Sequence, residues 1–328
     1  MNRPTKISVI LCTYNRAESL TVALEHTVKQ VLPQSVGYEI IVVDNNSKDD
    51  TPQVVERFRR QYPDLIRYLR ETKQGISHAR NAGIREARGE VLAFVDDDEA
   101  PTAGWLQNLT ASLHSGEWAG AGGPVVSDWK SAPPRWWSSS SPFTLGPLAA
   151  FDPRLEAGEM KIPPVGANMA FRKEMFERYG GFRTDLGRVG TNLLANEDIE
   201  FGRRLLAAGH RLRYEPLSVV YHPVADSRVR RKYFLDWWFN KGRCDVKEDG
   251  TPAGAVRFLG IPIRLFRNAA VEAVRWVLST SPSERFVCHL KIWAYAGEAY
   301  ECYCQTREAG HKGKGPDAER RGIAENAG

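Results

Sequence analysis

The sequence predicts an α/β fold, a mostly parallel central sheet flanked by helices, followed by a helical C-terminal extension. Three observations predict it. Short all-apolar runs of strand length alternate with helical stretches over the first hundred or so residues, an order that right-handed crossovers convert into a parallel sheet. Three of these runs stop abruptly in polar clusters, which therefore share one rim, and such sheets bind ligands at the carboxyl ends of their strands. Past residue 225 the strand signal gives way to long stretches mixing arginine and tryptophan with aliphatic residues.

The first run, Lys6 to Cys12, is too short for a signal-peptide hydrophobic region and reads as a buried strand ending in the turn Thr13-Tyr14-Asn15-Arg16. Leu20, Leu24 and Val28, four residues apart, give the next stretch one apolar face. Tyr38 to Val43 is a second strand, ending at Asp44-Asn45-Asn46-Ser47. Thr51 followed by Pro52 starts a helix that carries Val54, Val55 and Phe58. Leu65 to Leu69 reads as an edge-like strand, and Gly75 to Gly83 opens another helix. The fourth strand, Val91 to Val95, runs straight into Asp96-Asp97-Asp98-Glu99 and then Pro101.

Those acids are the chemical centre of the chain. Like charges a few ångströms apart repel and raise one another's pKa, a conflict that a divalent cation removes. Hard carboxylate oxygens suit Mg²⁺ or Mn²⁺, which commonly bridge carboxylates to the phosphates of a substrate. Taken singly, the run reads equally well as a solvated acidic loop, and Asp44-Asn45-Asn46-Ser47 as an ordinary turn. Polar clusters at three strand ends on one rim favour a binding site.

The segments ISVILCTYNR, VVDNNSKDDT, GISHARNAGI and FVDDDEAP, in this order and spacing, resemble the family 2 glycosyltransferases. The resemblance implies the GT-A fold and an inverting, hexosyltransferase-type transfer from a nucleotide-diphospho-sugar, with Mg²⁺ or Mn²⁺ as cofactor. It implies that Thr13, Tyr14 and the Asp44–Asn45 pair hold the base and ribose, with Arg16 also among the donor-binding residues. Many relatives carry a second aspartate where this chain has Asn45. Asp96 and Asp98 match the outer members of the family's Asp-x-Asp motif and are the implied metal residues, Asp98 as the direct ligand. Asp96 and Asp97 then lie nearer the ribose and the metal's waters, and Arg80 near the diphosphate; a surface helix charge is the plain alternative for Arg80.

Further along, Gly180-Gly181-Phe182 and Asn196-Glu197-Asp198 also resemble the family and imply catalytic roles for Glu197 and Asp198, the aspartate being the base. Helix capping by Asn196, with acids in the first turn, accounts for the same residues and is compatible with catalysis. His222 matches a histidine that serves some relatives as a third metal ligand, although a lone histidine after a strand is more often structural.

Between these landmarks, Trp105 to Leu113 reads as a helix, and Gly120 to Val126 as a Gly-rich turn into a strand that lets a donor sugar approach closely. The Pro- and Ser-rich segment holding Trp129, Trp136 and Trp137 either stacks on sugars or membrane interfaces or covers a core edge. Gly166 to Arg172 is a returning strand, and short strands follow at His210 to Tyr214 and Leu217 to Tyr221. The expected division is a catalytic domain over 1–225, a helical extension over 226–305 that associates with anionic membrane, and a disordered tail over 306–328. Within the extension, Ala255 to Leu278 and Phe286 to Tyr303 read as helices, with breaks at Pro262 and Pro282.

Composition narrows the classes. The 328 residues are 42% hydrophobic and 26% charged, an ordinary globular balance. A net charge of +5 suits an anionic partner, but no basic stripe or motif points to nucleic acid. Five scattered cysteines give no disulfide framework, and no run reaches transmembrane length, so the expected location is cytoplasmic, peripheral on the inner face of the plasma membrane. The expected partners are a nucleotide sugar, a glycan or lipid-linked acceptor of envelope or exopolysaccharide assembly, and a second copy of the chain if it oligomerises. Two rival readings are a sugar-nucleotide pyrophosphorylase, whose Gly-rich basic N-terminal loop Thr13-Tyr14-Asn15-Arg16 does not match, and a non-catalytic carbohydrate-binding relative.

Overall fold

Ile7, Val9 and Leu11 pack into one apolar cluster while Ile10 and Cys12 pack into another, so the first strand is buried on both faces. The same holds for Ile40 and Val42 against Ile41 and Val43 in the second. All-apolar strands of this kind require helices on both sides of the sheet. In the computed structural model, which describes residues 5–153, 155–190, 193–250 and 254–312, the chain divides into two units, 1–230 and 231–328.

In the first unit the elements run β1 (Thr5–Thr13), α1 (Ala17–Thr27), β2 (Gly37–Asp44), α2 (Thr51–Gln61), β3 (Ile66–Arg70), α3 (Ile76–Glu86) and β4 (Val91–Asp96). Then come β5 (Ala100–Pro101), α4 (Trp105–Thr110), β6 (Gly120–Gly122), β7 (Val125–Asp128), α5 (Pro142–Leu145), β8 (Gly158–Met160), β9 (Asn168–Arg172), α6 (Lys173–Tyr179), α7 (Glu197–Ala207), β10 (Leu212–Tyr214) and β11 (Val220–Pro223). The main sheet has eight strands in the order β3-β2-β1-β4-β9-β6-β10-β8. The first four are mutually parallel, and β9 returns antiparallel between β4 and β6. Leu20 and Leu24 of α1, Val55 and Phe58 of α2 and Trp105 of α4 share one core cluster. Ala79 and Ala82 of α3, Phe176 of α6 and Phe201 and Leu205 of α7 share the other. There Phe176 stacks on Phe201 at 4.3 Å between ring centroids, with Phe94, Phe171 and Phe182 around them.

Two sequence expectations change here. The glycines of β6 and the following Gly123 do admit a close approach, but of the protein's own atoms. A Cβ on Gly120 would lie 2.3 Å from the Phe171 ring, and one on Gly123 would lie 2.1 Å from the Ser218 carbonyl. Trp129 and Trp137 pack edge to face at 5.1 Å, and the Trp137 indole donates to the Thr144 carbonyl, so part of this aromatic surface is spent within its own segment.

A smaller sheet, β5-β11-β7, sits beyond the end of β4. Its antiparallel pairing sets Val220 opposite Pro101 and Tyr221 opposite Ala100. The next step of the same register brings His222 to Glu99.

The second unit contains α8 (Arg231–Asp249), a hairpin of β12 (Arg257–Phe258) and β13 (Ile261–Pro262), α9 (Ile263–Leu278) and α10 (Pro282–Lys312). Pro262 and Pro282 fall at helix starts, as their fixed φ favours. Helices α8 and α10 approach backbone to backbone: a Cβ on Gly242 would lie 2.1 Å from the Ala294 carbonyl, and one on Gly297 would lie 1.9 Å from that of Phe239. The buried acids of this unit are paired, Glu301 with Arg243 at 3.0 Å and Glu272 with Arg275 at 3.0 Å and Lys291 at 3.3 Å. The unit begins at Arg231 rather than at 226, and α10 carries the helix through Lys312, past the start of the tail expected at 306. The rest of that tail lies outside the described residues. No helix among the described residues is long and apolar enough to cross a membrane.

Candidate active site

The ends of β1, β2 and β4 deliver Thr13, Asp44 and Asp96 to one rim. Asp44 is fully buried; its Oδ1 accepts from the Ser47 amide at 2.8 Å and its Oδ2 from the Tyr68 hydroxyl at 2.7 Å. Asn45 holds the neighbouring loop. Its Nδ2 donates to the carbonyls of Glu71 and Lys73, and its Oδ1 accepts from the Gly75 amide and the Gln74 side chain. With two donors and two lone pairs used, an amide satisfies this environment and a carboxylate would not. Tyr14 is half-buried beside Thr13 at the end of β1.

The acidic run splits by partner. Arg16 donates from one guanidinium nitrogen to Asp97 at 3.0 Å and to Asp98 at 2.6 Å. Burial drives the Asp97 carboxyl above its usual range, with Asp98 adding to the rise and Arg16 opposing it. Burial also penalises the Asp98 carboxylate, but the guanidinium groups of Arg16 and Arg228 hold it well below the usual range. Asp96 turns away from this group and accepts from Arg80 at 3.2 Å.

Among the described residues, Asp98, Glu99 and His222 place ligand atoms within 4.8 Å of one another, the one such group of metal-binding side chains. The sequence reading put Asp96, Asp98 and His222 at the metal; the structure gathers Asp98 and His222, substitutes Glu99 and gives Asp96 to Arg80. Glu99 is almost wholly buried and neither carboxylate oxygen has a hydrogen-bond partner, an arrangement that is costly unless a cation or a proton answers it. Burial and the neighbouring Asp98 and Asp96 push its pKa well up. Two carboxylates and an imidazole fit a divalent ion such as Mn²⁺. Arg228 also reaches this cluster, at 3.0 Å from Asp98 and 2.7 Å from His222 Nε2. Since arginine only donates, Nε2 accepts, and the imidazole proton lies on the buried, unpartnered Nδ1.

Arg80 is buried, contrary to the surface alternative, and its guanidinium is occupied. It donates to Glu197 at 2.7 Å, to Asp96 at 3.2 Å and to the Gly166 carbonyl at 3.3 Å, tying the end of β4 to the start of α7. This separates the two acids of the pair. Glu197 is buried against Arg80; burial, then Asp198, raise its pKa while Arg80 lowers it. Asp198 is only half-buried, and its carboxylate accepts from the amides of Gly166 and Ile199, which fix its orientation. Asn196 makes no side-chain cap for α7; its φ of +84° instead places it in the left-handed region that asparagine tolerates. Sequence reasoning missed Glu99 and Arg228 as members of the site. The continuation of the acidic run to Glu99 was the available signal for the first, and the arginine that follows His222 within a basic segment for the second.

A mostly parallel sheet with an antiparallel strand between β4 and β6, and an acidic cluster at the end of β4, is the architecture of the GT-A nucleotide-sugar transferases. The mannosyltransferase PcManGT from Pyrobaculum calidifontis, solved with GDP-mannose and Mn²⁺, has the same fold, with a TM-score of 0.54 over 99% of this chain and 81% of that one at 20% identity. The model of glycosyl transferase family 2 matches residues 8–180, more than half of the chain, and the chain belongs to that family: it is a glycosyltransferase. The succinoglycan biosynthesis protein ExoM of Rhizobium meliloti is 28% identical over 243 residues, 74% of each chain. The glucosyl-dolichyl phosphate glucuronosyltransferase of Haloferax volcanii is 28% identical over 71% of this chain and 72% of its own.

Proposed function

We propose that this glycosyltransferase moves a sugar, with inversion, from a nucleotide-diphospho-sugar to a hydroxyl of a glycan or lipid-linked acceptor in polysaccharide or glycolipid assembly. The observation that carries this reading is the pairing of an acidic cluster, Asp98, Glu99 and His222, with a separate, half-exposed and fixed carboxylate, Asp198. One group suits the leaving diphosphate and the other an attacking hydroxyl. The acceptor class rests on the relatives named as a succinoglycan biosynthesis protein and as a glucosyl-dolichyl phosphate glucuronosyltransferase.

In this reading Asp98, Glu99 and His222 hold Mg²⁺ or Mn²⁺, which supplies positive charge to the leaving diphosphate. Tyr14 faces the base and ribose, with Thr13 beside it, and the buried Asp44 and Asn45 act through the turn and loop they hold. Asp96 and Asp97 lie beside the ribose end of the cluster, and Arg80 positions Asp96 and Glu197. Inversion requires the acceptor hydroxyl to attack the anomeric carbon opposite the diphosphate. Its proton passes to a carboxylate oxygen of Asp198 as the new bond forms, and the electron pair of the broken bond leaves with the diphosphate. Asp198 is the better base of the pair, because Glu197 is spent on Arg80.

The test is a thermal-shift and hydrolysis screen of nucleoside diphosphates and nucleotide sugars, with and without Mn²⁺. The expected result is one nucleotide class that stabilises the protein only with Mn²⁺, together with slow release of sugar of inverted anomeric configuration. Stabilisation by no nucleotide, or hydrolysis at full rate in EDTA, would overturn the proposal.

A further inference from the structure

Helix α9 wears its hydrophobicity on the outside. Ile263, Phe266, Val274, Val277 and Leu278 recur at helical spacing and are all exposed, Val277 by 67% and Leu278 by 75%. The inward side of the same helix carries Leu265 and the charged Glu272, both buried. A helix of a water-soluble unit normally shows the opposite pattern. The hairpin leading into α9 repeats the feature. Val256, Phe258 and Leu259 are 73%, 62% and 68% exposed, and Leu259 takes a φ of +51° just before Gly260. A leucine in that region is strained, and the tight turn holds an apolar tip out from the unit.

The charges around this face have one sign in excess. Between Gly254 and Phe286 there are five arginines, Arg257, Arg264, Arg267, Arg275 and Arg285, against Glu272 and Glu284. Glu272 is buried and ion-paired, and Glu284 accepts from Ser279. Arg267 lies within the apolar stripe, where its long stem can lie along a nonpolar surface while its head reaches a polar one. Trp276, 41% exposed, has Arg285 over its ring at 4.6 Å.

We infer that the β12–β13 tip and the outward face of α9 dock this enzyme on an anionic lipid surface. The apolar residues enter the boundary between headgroups and acyl chains, and the arginines meet lipid phosphates, which a guanidinium binds in a bidentate fashion. The excess of arginine decides against the other occupant of an apolar face, a second copy. A two-fold contact would set the same patch against itself and bring arginine against arginine. At 16 residues α9 is too short to span a bilayer, so it lies in the interface. The inference concerns the second unit alone and stands whatever donor and acceptor the first unit takes.

The test is co-sedimentation of the full chain with vesicles of phosphatidylcholine, and of phosphatidylcholine with about a third phosphatidylglycerol. Each cation at such a surface contributes roughly fivefold in affinity at low salt. Binding is therefore expected to be at least about tenfold tighter on the anionic vesicles and to fall at high salt as charges are screened. The double variant Val274→Asp, Val277→Asp is expected to lose about tenfold or more in vesicle binding while its circular dichroism and melting stay unchanged, because both positions are exposed. Should that variant fail to fold, Phe258→Ser with Leu259→Ser on the hairpin gives the same readout. Absence of binding to either vesicle overturns the inference, as does unchanged binding by the variants. A dimer in light scattering that the substitutions dissolve, with no vesicle binding, assigns the face to a second copy instead.

Discussion

Glu197 and Asp198 are neighbours in the chain in opposite situations, and substitution should separate them. Asp198→Asn keeps the shape and its one carbonyl oxygen can still accept from one of the Gly166 and Ile199 amides, which now reach different atoms, but it cannot take a proton. Turnover should fall by ~10²- to 10⁴-fold, with donor and Mn²⁺ binding unchanged in the same preparation. Glu197→Gln leaves the buried Arg80 short of its closest counter-charge and should lower stability by about 3 kcal/mol, read as a lower melting temperature. If Glu197→Gln abolishes turnover while Asp198→Asn does not, the glutamate is the base. The resemblance named the pair and gave the aspartate as the base; the ion pair that occupies Glu197 was not legible, because its partner Arg80 lies 117 positions away. Arg228 gives a second residue-level test. It holds the Nε2 lone pair of His222 and an oxygen of Asp98, the atoms a cation would need. Arg228→Ala should therefore lower the melting temperature without metal and enlarge the upward shift on adding Mn²⁺; no change in either quantity would show that the arginine does not compete for the site.

At the scale of elements, the parallel strands β1, β2 and β4 were readable because each is built on a nearly uninterrupted apolar run, as a strand buried on both faces requires, whereas β3, with Arg67 and Arg70, is a partly exposed edge. The short pieces were less so. β6 is Gly-Ala-Gly and carries no strand signal of its own; it is glycine-rich because Phe171 and Pro164 press where side chains would be. His222 was found by resemblance, while its place opposite Glu99 comes from the register of β11 on β5, a two-residue strand. One buried side chain joins these pieces. Asn168, at the start of β9, accepts from the Trp105 indole at 2.8 Å and donates to the carbonyls of Pro124 and Ser218 at 3.0 and 2.6 Å. Asn168→Ala strands three buried polar groups at ~1 to 3 kcal/mol each, so a loss of about 4 kcal/mol is expected. Urea unfolding would register it as a lower midpoint with an unchanged slope.

For the molecule as a whole, the two compact units divide at Arg230, close to the change of composition past residue 225. Its character was harder to read, because helices that pack through glycines, α8 and α10, and a helix that exposes its valines, α9, look in sequence like helices that bury their apolar residues. Ligand linkage should reveal the first unit selectively. With Mn²⁺ and a nucleoside diphosphate at a hundred times its dissociation constant, the transition of that unit should gain ~2.7 kcal/mol, visible by calorimetry. The expected signature is one moved transition, or one moved component of a composite one; equal shifts in the Asp98→Asn variant would assign the nucleotide to some other place.

The way Asn45 is used has a consequence for anyone who would redesign the donor preference. Its amide answers two carbonyls and two donors from residues 71–75, so an aspartate placed there would face the Glu71 and Lys73 carbonyls with negative charge. The position and the loop therefore form a matched lock. A graft that brings in the second aspartate of other family members must bring a compatible loop with it, and a one-residue exchange should yield protein that melts early and not a new specificity.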